Sequence, residues 1–217
     1  MTEQTAGSMV LASVVLDLMP GIHSAIAAGH GDGALLRELA RLGVGYIQGV
    51  AQPFLTLENG RRFDLAISLE VAQLLPSERA DAFIDDLTRL SNMVLFSAAI
   101  PGQNEKLHSN ERWQDEWAAS FQARGYYAID AVRPRIWHRD DVDAAVRQNT
   151  ILYSNLAGLE RYPGLLTDRV SLLSSLRVVH PQIWAAVRAN STPARKPVAQ
   201  AIPAYIRRAS ERWLGVQ

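Results

Sequence analysis

The densest collection of groups able to do chemistry lies between Gln103 and Trp113, a stretch that also holds His108, Asn110 and Glu111. An imidazole titrates near neutrality, so His108 is a candidate general base for a hydroxyl or amine proton, with Glu111 three residues on to orient it. The same histidine could instead make a structural hydrogen bond where a helix begins, and Asn110 could be that helix's N-cap rather than a substrate ligand. Arg133 and Arg135 lie two apart in a predicted strand and so share a face, where they could bind a sulfate, phosphate or carboxylate, or simply be solvated at an edge. With Glu70 and His23 these residues (Gln103, Asn110, Trp113, Arg133, Arg135) make up the expected substrate-binding set. No second histidine or carboxylate stands at ligand spacing from His108, so no metal is expected.

The elements that must position these groups alternate between strand and helix patterns. The apolar run Ser13–Met19, halted by Pro20-Gly21, predicts a buried first strand. Ile22–Ala28 then predicts one or two helical turns before the loop Gly29-His30-Gly31-Asp32-Gly33, and Ala34–Leu42 a helix closed by Gly43. Tyr46–Ala51 and Phe63–Glu70 predict strands. Ala80, Phe83, Ile84, Leu87 and Leu90 make one helical stripe behind Pro76-Ser77, and Met93–Ile100 is a fully apolar strand. Trp113, Trp117 and Phe121 recur every four residues and predict a helix over Ser109–Ala123. A strand within Tyr126–Trp137, a short helix over Arg139–Gln148 and a strand at Thr150–Leu156 follow. The expectation is a three-layer, doubly wound, mostly parallel sheet, with ligands beyond the carboxyl ends of its strands.

Composition bounds the rest. The 217 residues are 48% hydrophobic, with 22 basic and 22 acidic side chains. One core is expected at residues 1–158, with a helical C-terminal extension at 159–217 whose amphipathic Ala199–Leu214 segment could pack on the domain or serve a homo- or hetero-oligomer. The neutral balance gives no field toward nucleic acid or an anionic membrane. No apolar run spans a bilayer, and the absence of cysteine excludes thiolate chemistry and fits a cytoplasmic protein with a small-molecule substrate.

Two segments carry a family resemblance. Arg62-Phe63-Asp64-Leu65-Ala66-Ile67-Ser68-Leu69-Glu70-Val71-Ala72 resembles the fourth strand and following turn of bacterial class I S-adenosylmethionine-dependent methyltransferases, "R-F-D-L-V-x-S-L-E-V-A-E-H-L". Ala99-Ile100-Pro101-Gly102-Gln103 with His108, Asn110, Glu111 and Trp113 is similar to the "I-P-G-Q…H-x-N-E-x-W" loop of one subgroup. The likeness extends through Arg133–Trp137, Arg147-Gln148-Asn149 and Val179-His180-Pro181, over residues 62 to 181. It implies the class I methyltransferase-like fold, shortened in its N-terminal half.

The front of the chain departs from that pattern. The family places "D/E-x-G-x-G-x-G" after its first strand, where missing side chains let backbone approach the cofactor. After the strand expected at Ser13–Met19 the chain reads Asp17-Leu18-Met19-Pro20-Gly21-Ile22-His23, and only Asp17 and Gly21 would remain for the cofactor. The family's ribose-binding acid at the end of the second strand has no counterpart in Tyr46–Ala51, with Asp32 as a distant substitute, and "E-H-L" after Glu70 becomes Gln73-Leu74-Leu75. The expectation is therefore an enzyme on a methyltransferase scaffold with no cofactor, performing base-assisted cyclisation or elimination on a small metabolite or natural-product intermediate. The alternatives are a divergent small-molecule or sugar methyltransferase that keeps S-adenosylmethionine, and a non-catalytic partner subunit.

Overall fold

A computed structural model describes residues 3–29, 33–50, 60–103 and 108–191. The chain divides into two compact units, 1–183 and 184–217. Of the second only 184–191, the end of helix α8 (Pro181–Ser191), are described, so the Ala199–Leu214 segment lies outside the described residues.

The first unit begins with a correction. Ser13–Met19 is not a strand but the end of a 16-residue helix, α1 (Glu3–Leu18). Leu11, Val15 and Met19 recur every four residues and are buried, with Ala12 beside them. The apolar run in fact starts at Met9, and 11 residues from Met9 to Met19 exceed an ordinary buried strand. The first strand is β1 (Ser24–Ala28), where helical turns were expected. Its small and branched residues are buried on both faces, as the interior of a parallel sheet requires.

From β1 onward the expected alternation holds. Helix α2 (Gly33–Arg41) buries Leu35, Leu36 and Leu39, and β2 (Tyr46–Val50) and β3 (Leu65–Leu69) follow. Helix α3 (Ala80–Leu90) buries the predicted stripe, led in by a 3-10 turn at Ser77–Arg79. Strand β4 (Met93–Ser97) is buried throughout. Next come α4 (Gln114–Gln122), β5 (Tyr127–Ile129), α5 (Arg133–Ile136), α6 (Ala144–Asn149), β6 (Ile151–Ser154) and α7 (Leu156–Arg161).

The six strands form one sheet in the order β2-β1-β3-β4-β6-β5. The pairs β1–β2, β1–β3 and β3–β4 are parallel, whereas β6 runs antiparallel between β4 and β5. Two apolar clusters cover the faces. Leu11, Val15, Leu36, Leu39, Ile67 and Leu95 belong to one; Phe83, Leu87, Phe96, Trp117, Phe121 and Tyr153 belong to the other. Strand alternation assigns Ile67 to one cluster and Ala66 to the other, so residue parity on β3 decides which side each helix packs. Chain order reverses at β1, which pairs with β2 on one side and β3 on the other, and ligands of open α/β sheets sit outside the carboxyl ends at such a point.

Candidate functional site

The carboxyl end of β1 runs into Gly29 and α2 begins at Gly33, so in the sequence a glycine-spaced segment stands between the first strand and the helix after it. In this register the chain reads Ala27-Ala28-Gly29-His30-Gly31-Asp32-Gly33. All three glycines of the "D/E-x-G-x-G-x-G" pattern are present, and the acidic position is Ala27. Gly29 has φ +123, and a Cβ there would lie 2.3 Å from Val71 Cγ2, so both backbone and space demand glycine. Its N–H donates to the Val50 carbonyl at 2.8 Å. His30 to Asp32, including Asp32 as a substitute ribose ligand, lie outside the described residues, as does Ala51.

Val71 follows Glu70, the residue that turns the chain at the end of β3. Glu70 has φ 57, the left-handed region that a non-glycine residue enters at a cost, and such strain is common at functional sites. Its backbone N–H bonds the carbonyl and hydroxyl of Ser97, both at 3.0 Å. Its carboxyl accepts from Ser97 Oγ at 2.7 Å and from Gln73 Nε2 at 3.0 Å. Burial pushes the Glu70 carboxyl above the usual carboxylate range; hydrogen bonds from Ser97, Gln73 and Asn149 oppose this, and the charge of Asp143 adds to it.

Glu70 and Leu69 border a cavity of about 660 Å³. Its other walls come from Gly7, Ser8 and Leu11 of α1, Leu35 of α2, and the segment Asp140–Arg147 with Gln182. Arg147 is 3% exposed; its guanidinium donates to the Trp137 carbonyl at 3.3 Å, to Asp140 at 3.2 Å and to Gln182 Oε1. Beside it, Asn149 Nδ2 and Gln148 Nε2 reach Gln103 Oε1 at 3.0 and 3.4 Å, and Gln148 Oε1 accepts from the His180 N–H at 2.7 Å.

The expected site residues separate into three groups. Glu70 and Gln103 lie in this polar network, Gln103 with its Oε1 also capping the Ile100 N–H at 2.7 Å. His108 and Glu111 pair with each other, Nδ1 to Oε1 at 2.7 Å, while Glu111 Oε2 accepts from the Gly102 N–H at 2.7 Å. Neither is among the described residues lining the cavity. Asn110 is buried, not a helix cap: its Oδ1 accepts from Arg112 at 2.8 Å, its Nδ2 donates to the Ala72 carbonyl, and its N–H bonds the Gln73 carbonyl. Trp113 is the residue before α4, its N–H on Glu116 at 2.7 Å, with the Arg177 guanidinium 5.6 Å from its ring.

The third group is corrected. Arg133 and Arg135 stand on helix α5, not a strand, because the chain turns after only three residues of β5. Arg133 is 3% exposed and bidentate to Asp130 at 2.6 and 2.7 Å, with a further bond to the Leu176 carbonyl. Arg135 bonds the Ala131 carbonyl of its own turn. Asp17 is exposed on α1 and Gly21 is exposed in the turn before β1. His23 is exposed at the amino end of β1, its N–H on Asp64 Oδ2 at 2.7 Å. Asp64 also pairs with Arg161, so this is a structural joint at the amino end of the sheet, remote from the carboxyl-end cleft. Burial opposes ionisation of Asp64, but the bonds from Arg161, His23 and Ser24 outweigh it and hold the carboxyl below its usual range.

Sequence reasoning named Gly29–Gly33 only as a loop and Arg147-Gln148-Asn149 only as part of the family likeness, and gave Gly29, Arg147 and Asn149 no role in the site. The glycine spacing was itself the signal, obscured by taking α1 for the first strand. Among the described residues no three histidines, aspartates or glutamates cluster as a metal site, and no helix is long and apolar enough to cross a membrane.

No protein-family model matches the chain, and no curated protein matches it. Solved structures do. Magnesium protoporphyrin IX methyltransferase (ChlM) from Synechocystis PCC 6803 with bound S-adenosylhomocysteine is 17% identical with TM-score 0.46, covering 70% of this chain and 83% of that one. The plantazolicin methyltransferase BpumL with S-adenosylhomocysteine and a pentazolic desmethylplantazolicin analogue is 9% identical with TM-score 0.47, covering 70% and 84%. The CcbJ methyltransferase from Streptomyces caelestis is 13% identical with TM-score 0.38, and the chain spans about half of it, 51%, with 45% of its own length.

The expectation of no cofactor is corrected. It rested on Asp17–His23 as the turn after the first strand, whereas that segment is the end of α1 and the turn before β1. Its strand order, its one reversed strand and its helices on both faces give the described residues the doubly wound, mostly parallel α/β fold expected from the sequence.

Proposed function

We propose that the chain is a divergent S-adenosylmethionine-dependent methyltransferase acting on a small molecule. The observation that carries this is the glycine spacing Gly29-His30-Gly31-Asp32-Gly33, which in the sequence stands between β1 and the nine-residue helix α2. Backbone N–H groups at the head of a helix favour an anionic group such as the cofactor's carboxylate, and glycine lets it come close. Gly29 fits this role by its φ of +123 and by the contact a Cβ would make with Val71. The ribose end fits less well, because the residues from Tyr46 to Ala51 contain no carboxylate.

Bound there, the cofactor would supply an electrophilic methyl group. The chain's own residues then have two tasks. The walls formed by Leu11, Leu35 and Val146 exclude water and hold the acceptor, which serves alignment. Glu70, at the end of β3, can take a proton from the acceptor at a carboxyl oxygen, and its raised value places that exchange nearer neutrality. His108, paired with Glu111, remains a second candidate for that task.

Titration calorimetry of the full chain with S-adenosylhomocysteine tests the reading. Saturable binding at one site per chain is expected; no heat at millimolar ligand would overturn it.

A further inference from the structure

We propose that Gln73 is the positioning residue of Glu70: its amide holds one oxygen of that carboxyl and joins it to the segment Ser109–Arg112, so that docking of the segment governs the proton on Glu70. This rests on the reading of Glu70 as the group that takes the acceptor's proton, and it names what regulates that same site.

Backbone donors fix the direction of each bond. Gln73 is 2% exposed and lies in the 3-10 turn Ala72–Leu74. The Ala99 N–H, which can only donate, stands 3.3 Å from Gln73 Oε1. The amide is thereby turned with its Nε2 toward Glu70 Oε2, 3.0 Å away, where it donates. Ser97 is oriented in the same way. Its Oγ accepts the Glu70 N–H at 3.0 Å and so directs its own hydrogen to Glu70 Oε1 at 2.7 Å. Each carboxyl oxygen thus meets a neutral donor that can turn away only by giving up a backbone bond, and such donors favour the charged form of a buried carboxyl.

The turn that carries Gln73 is also where Ser109–Arg112 docks. The Ser109 and Asn110 N–H groups both donate to the Gln73 carbonyl, at 2.9 and 3.1 Å. Ser109 Oγ donates to the Leu75 carbonyl at 3.0 Å, and Asn110 Nδ2 to the Ala72 carbonyl at 3.3 Å. The Arg112 N–H reaches the carbonyl of Ala99 at 3.3 Å, the residue whose own N–H orients the Gln73 amide. Release of the segment loosens Gln73 at its backbone and at Ala99 together, and Glu70 then keeps its proton more firmly. The other ionisable groups on the cavity walls, Asp140, Asp141, Asp143 and Arg147, and the His108–Glu111 pair are the same in every variant at position 73, so differences between variants isolate Gln73.

The test is carboxyl-carbon and amide NMR of the full chain against pH, with the Glu70 signal identified by its loss in Glu70→Gln. In the parent chain the Gln73 side-chain amide and the Ser109 and Asn110 N–H signals should move with the same midpoint as the Glu70 carboxyl; a purely structural Gln73 would leave them still. Gln73→Met removes the donor and should raise the Glu70 midpoint by about one pH unit, a tenfold gain in proton affinity. Gln73→Glu keeps an acceptor for the Ala99 N–H but not the donor to Glu70, and should give two titration steps that belong to the pair.

A Glu70 midpoint unchanged or lowered in either folded variant, or a Gln73 amide that does not follow Glu70 in the parent chain, overturns the proposal. These shifts without any S-adenosylhomocysteine binding would instead overturn the methyl-transfer reading and leave the role of Gln73 standing.

Discussion

Glu70 holds its proton to higher pH than an ordinary glutamate, and this has a sign that can be measured. A carboxyl whose value is raised on folding favours the fold fully below the unfolded value near 4.5, and that contribution is lost as pH rises from there through the raised value. Glu70→Gln cannot lose it, so denaturant unfolding across that window should show the variant gaining on the parent chain as pH rises. A parallel pH dependence of the two proteins would mean that Glu70 is not perturbed. Asp64 runs the other way: its lowered value gives stability above 3.8 that disappears as pH falls through the lowered value. At Gly29 the expectation is steric. Gly29→Ala meets Val71 and a positive φ at once, so it should cost about 2 kcal/mol or more and weaken S-adenosylhomocysteine binding. Adding Val71→Ala removes the contact but not the strained φ, and should restore only part of the stability lost.

Elements decide which of these residues meet. Arg133 reads in the sequence like half of an anion-binding pair, but α5 turns it inward to Asp130 and the Leu176 carbonyl. Arg133→Ala should therefore cost about 3 kcal/mol in chemical denaturation, the usual size for breaking a buried charged pair. A loss of ligand affinity at unchanged stability would restore the anion-site reading. Helix α1 forms one wall of the cavity, and a Cβ on Gly7 would stand 2.9 Å from the Asp141 carbonyl. Gly7→Val should push that wall outward, and it should weaken acceptor binding in the cavity more than S-adenosylhomocysteine binding at the Gly29 turn. The same helix shows what the sequence concealed. Helix α3 and strands β3 and β4 were legible because their apolar positions follow one period and end at turn residues. In α1 apolar residues occur on every side, so the run Ser13–Met19 fits a strand as well as a helix, and the error moved the glycine pattern by ten residues. Glu70 was legible because it ends a clear strand. Arg147 and Asn149 were not, because their roles depend on Gln182 and Gln103, 35 and 46 residues away.

At the scale of the whole molecule, six strands with one reversed member place the glycine turn, the Glu70 turn and the Asp140–Arg147 segment around one end of the sheet. The amino end, with Asp64, Arg161 and His23, holds the structure together instead. A ligand of the folded state alone raises its stability by mass action, about 2.7 kcal/mol at a hundred times the dissociation constant. Thermal melts with increasing S-adenosylhomocysteine should accordingly rise without a plateau in this range, and Gly29→Ala should flatten the rise. The most direct measurement is a crystal structure of the chain with S-adenosylhomocysteine. The ligand's amino-acid end should lie against Gly29 and the head of α2, beyond the carboxyl ends of β1 and β3. Density at the amino end near Gly21 and His23, or a Gly29 turn left empty at saturating ligand, would contradict the account.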